Sequence, residues 1–219
     1  AIAKANGALI HSDAVQIAGK LPIGFNDLGL DYMTISAHKL GGPQGTGALI
    51  ARQGAPLSRQ IAGGGQEFGR RAGTENVAAI AGFGAAVQAA TQELAAWTTR
   101  RAWRDALERK LMAASPDVVV IARDADRLPN TICVAAPAIP AENMVIALDL
   151  DGFAVSAGAA CSSGKVSQSH VLTAMGVEPR LAASAIRVSF GWKSTEQELA
   201  AFADAWTRIV NRAQARAAA

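Results

Sequence analysis

This sequence of 219 residues has few cysteines and only a small excess of positive over negative charge. It also has no long apolar run. Its two cysteines, Cys133 and Cys161, exclude a disulfide-rich secreted domain and indicate a reducing cytoplasm in which both stay thiols. Basic residues outnumber acidic ones by 21 to 18, and a net charge of +3 is too small to indicate nucleic-acid binding. No uninterrupted apolar run approaches the roughly 18 residues of a membrane span, so we expect a soluble protein.

Hydrophobic residues make up 50% of the sequence and charged residues only 18%, which is ample for the core of one large or two small domains. The apolar pattern alternates between strand-like and helix-like segments, and this indicates an α/β fold. We expect three parts: residues 1–95, a long linking helix at 96–116, and a second α/β unit at 117–219. The predicted strands are 8–11, 33–36, 47–51, 118–122, 131–135, 153–156 and 186–190, and the predicted helices are 74–90, 91–114, 141–150 and 195–213.

The sequence opens without Met, in what reads as the end of a helix running directly into a strand. Because a domain rarely begins in this way, we expect that a front segment of the fold is missing from this chain.

Lys39 stands between an apolar strand-like run and a glycine-rich turn, in the stretch SAHKLGGPQGTGAL. A strand is rigid and can hold a lysine at its end in a fixed orientation. The common alternative is a solvent-exposed lysine in a turn. Asp13 likewise follows a short strand, where an acid is more often a helix cap. Both residues are therefore candidates for one site.

Hydroxyl and imidazole groups flank the lysine at Ser36 and His38. Thr74 precedes a predicted helix, where it could hold a phosphate or serve as an ordinary N-cap. Cys161 lies among glycine, alanine and serine and is expected to be an accessible, reactive thiol. Cys133 lies between Ile132 and Val134 and is expected to be a packing residue.

A carbonyl cofactor that bonds to lysine requires an acid at its pyridinium nitrogen and hydrogen-bond donors around its phosphate. The candidates above supply each of these groups, so the sequence predicts pyridoxal 5′-phosphate as the cofactor.

Six motifs then occur in a fixed order: HSDAVQ, SAHKLGGPQGTGAL, GGGQEFGRRAGTENV, SAGAACSSG, SHVLTAMG and IRVSFG. Together they resemble the cysteine desulfurases of the NifS/IscS type, within the class V aminotransferase group. The resemblance implies the pyridoxal-phosphate transferase fold type I, with residues 1–95 in the large cofactor-binding domain and 117–219 in the small C-terminal domain. The family's front segment, with an aromatic residue that stacks on the cofactor ring, has no counterpart in this chain.

By the same resemblance, Lys39 forms the Schiff base with the cofactor, Asp13 pairs with the pyridine nitrogen and Gln16 bonds the ring hydroxyl. Ser36 and His38 contact the phosphate. The resemblance also implies that Thr74 contacts the phosphate bound in the neighbouring subunit. It implies that Arg187 binds the carboxylate of the substrate and that Cys161 accepts the sulfur.

The implied reaction removes sulfur from L-cysteine, giving L-alanine and a persulfide on the enzyme that a scaffold protein for iron–sulfur clusters receives. The resemblance also implies a homodimer. Three alternatives stay open: a selenocysteine lyase, another class V member, or a fragment that folds without binding the cofactor.

Overall fold

The computed structural model describes residues 2–158 and 169–217. The chain divides into two compact units, Ala1–Ala96 and Trp97–Ala219, each with its own sheet. Within the described residues, no helix has both the length and the apolar character that crossing a membrane requires.

The first unit contains a three-stranded mixed sheet in the order β1-β2-β3. Strand β2 pairs in parallel with β1 and antiparallel with β3, which confirms the predicted return of the chain after the glycine-rich turn. The helices and strands of this unit are α1 (Ile2–Ala5), β1 (His11–Asp13), β2 (Tyr32–Ser36), β3 (Gly47–Ala51) and α2 (Val77–Gln92).

The first strand is displaced from its predicted position, 8–11, to His11–Asp13. The N–H of Ile10 donates to the Asp31 carboxylate at 2.8 Å instead of to a neighbouring strand. Asp31 also accepts from Arg52 Nε at 2.8 Å, so one buried carboxylate anchors the segment before β1 and the end of β3. The Asp31 side chain therefore accepts the hydrogen bond from a backbone N–H that would pair with the neighbouring strand if β1 were longer.

Helix α2 begins at Val77, and its N-cap is Asn76, whose side chain accepts from the Ala79 N–H at 3.1 Å. The predicted start of this helix at Thr74 is wrong, and of the two alternatives for Thr74 the structure excludes the N-cap of α2. Asparagine and threonine are both good caps, and only the path of the chain decides between two candidates this close together.

The second unit is built on a four-stranded antiparallel sheet in the order β4-β5-β7-β6. Its helices and strands are α3 (Ala96–Ala113), β4 (Val119–Val120), β5 (Thr131–Ala135), α4 (Ala141–Leu150), β6 (Ser156–Ala157), α5 (His170–Ala174), α6 (Pro179–Ser184), β7 (Ala185–Ser189) and α7 (Glu196–Ala217). The predicted bounds of β5 and α4 are confirmed, whereas α5 and α6 were not predicted because each is shorter than two turns.

One face of this sheet carries the main core of the unit. Ile132 and Val134 of β5 lie opposite Val188 and Ile186 of β7, and these four side chains are buried. Trp206 of α7 has no exposed surface in the same cluster, to which α3 and α4 also contribute. Because side chains alternate along a strand, the residues between these four point to the opposite face.

Candidate active site

Two of the predicted site residues end neighbouring parallel strands in the first unit. Asp13 is the last residue of β1 and Ser36 is the last residue of β2. The register places Asp13 beside Thr34. Because parallel strands end at the same edge of a sheet, these side chains and the turn that follows β2 share one edge, where α/β folds commonly bind ligands.

The turn after β2 is a single 3₁₀ turn, Ala37–Leu40, and it carries His38 and Lys39. Ala37 is fully buried, and its N–H donates to the carbonyl of Thr46 at 3.0 Å. Gly41 ends the turn with φ = 82°, a left-handed conformation that glycine adopts without a steric penalty. The turn is thus held at both ends while Lys39 remains exposed.

Ser36 and His38 form a hydrogen-bonded pair at this edge, with 2.8 Å between Ser36 Oγ and His38 Nδ1. The pair keeps one donor in either arrangement: Nε2–H of His38 if the hydroxyl donates to Nδ1, or the Ser36 hydroxyl hydrogen if Nδ1–H donates to Oγ. The pair is therefore suited to an anionic oxygen ligand.

Asp13 accepts the Val15 N–H through Oδ1 at 3.0 Å. It does not cap a helix, because residues 15–20 form turns and not a helix. The second carboxylate oxygen has no partner among the described residues. Gln16 is exposed, and its carbonyl accepts from Lys20 Nζ at 2.7 Å while its side-chain amide bonds no described residue. Each side chain thus keeps a free polar group at this edge.

Lys20 is a neighbour of the site that sequence reasoning missed. Burial and, to a lesser extent, the positive charge of Lys39 lower the pKa of Lys20. Gly19 explains the close approach: a Cβ added there would lie 2.6 Å from Leu40 Cδ2 and 2.9 Å from Ala90 Cβ. The dipeptide Gly19-Lys20 has no sequence pattern that would predict the closeness of Lys20 to Lys39.

Thr74 is exposed and lies three residues before α2. Its hydroxyl forms no hydrogen bond within residues 2–158 and 169–217, so the structure does not join it to the edge that carries Lys39.

Arg187 lies in the middle of β7 in the second unit, on the face of the sheet opposite the main core. It is flanked across the ladders by Cys133 of β5 and Ser156 of β6. A cavity of about 540 Å³ is lined by Cys133 and Arg187 and by residues near the start of α5. This half-buried guanidinium thus faces an open space that can hold a small molecule.

The interpretation of Cys133 as a packing residue is confirmed, because its side chain packs against a second buried cluster of this unit, to which Ile121 and Leu172 belong. The thiol is only half-buried and lines the cavity, because it points away from the face that holds Ile132 and Val134. Burial raises the pKa of the Cys133 thiol, against the opposing effect of the Arg187 and Arg127 charges. Cys161 lies outside the described residues.

The model of the family Aminotransferase class-V matches residues 1–202 of the chain. The chain belongs to this family. Its curated relatives include a cysteine desulfurase of Klebsiella pneumoniae, 40% identical over 90% of this chain and 50% of that protein. Cysteine desulfurase IscS of Dictyoglomus turgidum is 40% identical over 96% of this chain and 54% of its own length.

Among solved structures, a NifS-like protein from Rickettsia africae superposes with a TM-score of 0.84 at 39% identity, covering 96% of this chain and 56% of that one. A second NifS-like protein has the same TM-score at 36% identity. These neighbours confirm the expected fold type I. The class V aminotransferase family is pyridoxal-phosphate-dependent, and this chain spans about half the length of the curated relatives that it matches.

Proposed function

We propose that the protein is a cysteine desulfurase, which converts L-cysteine to L-alanine and leaves the sulfur as a persulfide on Cys161. One observation carries the proposal: Asp13, Ser36, His38 and Lys39 lie at one sheet edge, in a family member whose relatives are named cysteine desulfurases. Because the chain spans about half the length of those relatives, the activity is proposed for the whole protein to which these residues belong.

The donor set of the first unit fits pyridoxal phosphate. The Ser36 and His38 pair would offer a donor to the phosphate, the unpartnered oxygen of Asp13 would accept from a pyridinium N–H, and the exposed amine of Lys39 would be available to the aldehyde. Gln16 has a free amide for the ring hydroxyl. When bound, the cofactor supplies an electron sink for a bond to the substrate Cα.

The chain's own residues account for the other steps. Arg187 binds the substrate carboxylate with a planar guanidinium that suits two parallel hydrogen bonds. The amine of Lys39, once free, moves the proton from the substrate Cα. The Cys161 thiolate attacks the substrate sulfur: an S–S bond forms as the C–S bond breaks, and the electron pair left on carbon takes up a proton to give alanine.

We further propose a homodimer in which Thr74 reaches the phosphate of the neighbouring subunit, and a cytoplasmic scaffold protein for iron–sulfur clusters that takes the persulfide sulfur. A selenocysteine lyase is the second candidate, because it uses the same cofactor edge. Parallel assays of alanine release from L-cysteine and from L-selenocysteine distinguish the two, and preference for the selenium substrate contradicts the proposal.

Covalent labelling tests the assignment of the lysine. The purified protein is incubated with pyridoxal phosphate, reduced with borohydride and digested, and the modified peptide is identified by mass spectrometry. We expect the label on Lys39, with Lys39→Arg losing it. Lys20 is the internal control, because the charge of Lys39 acts on it, and a label on Lys20 in the parent protein would overturn the assignment.

A further inference from the structure

Arg187 stands between two side chains that are small and uncharged. In the antiparallel ladders its direct neighbours are Cys133 on one side and Ser156 on the other. Directly opposed residues of such a ladder have Cβ atoms about 5 Å apart, so either position could hold a partner for the guanidinium. Neither does, and no carboxylate of the described residues forms an ion pair with Arg187.

The other guanidinium at this cavity is already paired. Arg127 Nη2 lies 2.7 Å from Glu108 Oε1, and the glutamate side chain is 3% exposed. A buried carboxylate therefore neutralises Arg127 and holds it in place. Of the two arginines that line this cavity, only Arg187 forms no ion pair with a carboxylate of the described residues.

We propose that Cys133 is a specificity-determining residue, which keeps the guanidinium of Arg187 free for a ligand carboxylate by placing a small, uncharged side chain directly opposite it. This inference rests on the proposed function in one respect: it takes the ligand to be an amino acid bound through its carboxylate.

The thiol suits this position for two reasons. Burial raises the pKa of the thiol and outweighs the lowering effect of the Arg187 and Arg127 charges, which disfavours an anion that would compete for Arg187. It is also small, which leaves the cavity of about 540 Å³ open beside the guanidinium. An aspartate at the same place would have the reach and the charge to pair with Arg187 itself.

The central test compares Cys133→Asp with Cys133→Asn, which match in shape and differ in charge. Thr131→Asp is the positional control, because Thr131 lines the same cavity but lies opposite Ser189. Each variant is treated with phenylglyoxal, which modifies unpaired arginines, and the rate of modification at Arg187 is followed by peptide mass spectrometry. We expect that rate to fall about threefold or more in Cys133→Asp, and to stay near the parent rate in both controls.

Kinetics provide a second reading, with L-cysteine and its methyl ester as substrates. In Cys133→Asp the KM for L-cysteine should rise about five- to tenfold with kcat little changed, since an internal carboxylate competes with that of the ligand. The KM for the ester, which lacks the carboxylate, should not rise. A merely structural role for Cys133 would raise both KM values together.

Equal labelling of Arg187 in the Asp and Asn variants, or an equal rise of KM for acid and ester, would overturn the inference. Failure of the proposed function looks different. A parent protein that does not turn over L-cysteine contradicts that function, whereas slower labelling of Arg187 in Cys133→Asp alone still supports the role of Cys133.

Discussion

A methyl group at Gly19 is expected to disturb the turn that carries Lys39. Gly19 has φ = +71°, and an added Cβ would lie 2.6 Å from Leu40 Cδ2 and 2.9 Å from Ala90 Cβ. The leucine tip can rotate away, but Ala90 Cβ moves only with α2. We therefore expect Gly19→Ala to strain both the backbone and its contact with the Lys39 turn.

The expected loss has two parts. A non-glycine residue in the left-handed region costs about 1–2 kcal/mol, and overpacking adds about 1–3 kcal/mol. Gly54 is the matched control, because it has φ = +79° and nothing within 4 Å of an added Cβ. Gly54→Ala should lose only the first part, so the difference between the two variants isolates the contact with Leu40 and Ala90.

Urea denaturation gives the two free energies of unfolding, and borohydride labelling by pyridoxal phosphate reports on Lys39 in the same samples. We expect Gly19→Ala to be less stable than Gly54→Ala by about 1–3 kcal/mol and to take up less label. Equal stability of the two variants, or full labelling of Lys39 in Gly19→Ala, would refute the packing argument.

Three further predictions address separate parts of the molecule. Cys161→Ala should keep the labelling by pyridoxal phosphate while alanine release from L-cysteine falls to background; turnover at the parent rate would contradict the role of Cys161. The Asp31 carboxylate has a pKa below its usual range, because the Ile10 N–H and then Arg52 hydrogen-bond its ionised form. The stability from this group is complete above the ordinary carboxyl pKa near 4 and is lost as pH falls through the lowered value, so acid titration of Asp31→Asn should show a shallower loss than the parent. Glu108→Gln leaves the charge of Arg127 buried beside a neutral partner. Urea denaturation should show that the free energy of unfolding falls by about 3–5 kcal/mol. A fall below about 1 kcal/mol would mean that solvent screens this ion pair.

Local sequence signals were sufficient wherever a short segment carries its own structural cue. The run of β-branched residues at 131–135 and the ten-residue helical pattern at 141–150 appear with their predicted bounds. The strand, glycine turn and returning strand around Lys39 also follow from local chemistry, because Gly41 permits a conformation that other residues avoid. The ordered motifs were enough to indicate the family.

Tertiary structure decided the features that depend on residues far apart in the chain. The neighbours of Cys133 in sequence suggested a packed thiol, which is correct, but only strand alternation and the register with β7 place it opposite Arg187, on the face away from Ile132 and Val134. Lys20 comes close to Lys39 only because Gly19 lets its loop pack on Leu40 and α2. Asn76 caps α2 in place of Thr74 because the path of the chain into the helix, and not cap preference, selects the residue. Sequence alone thus specified the chemical groups, while packing between distant segments determined which of them meet.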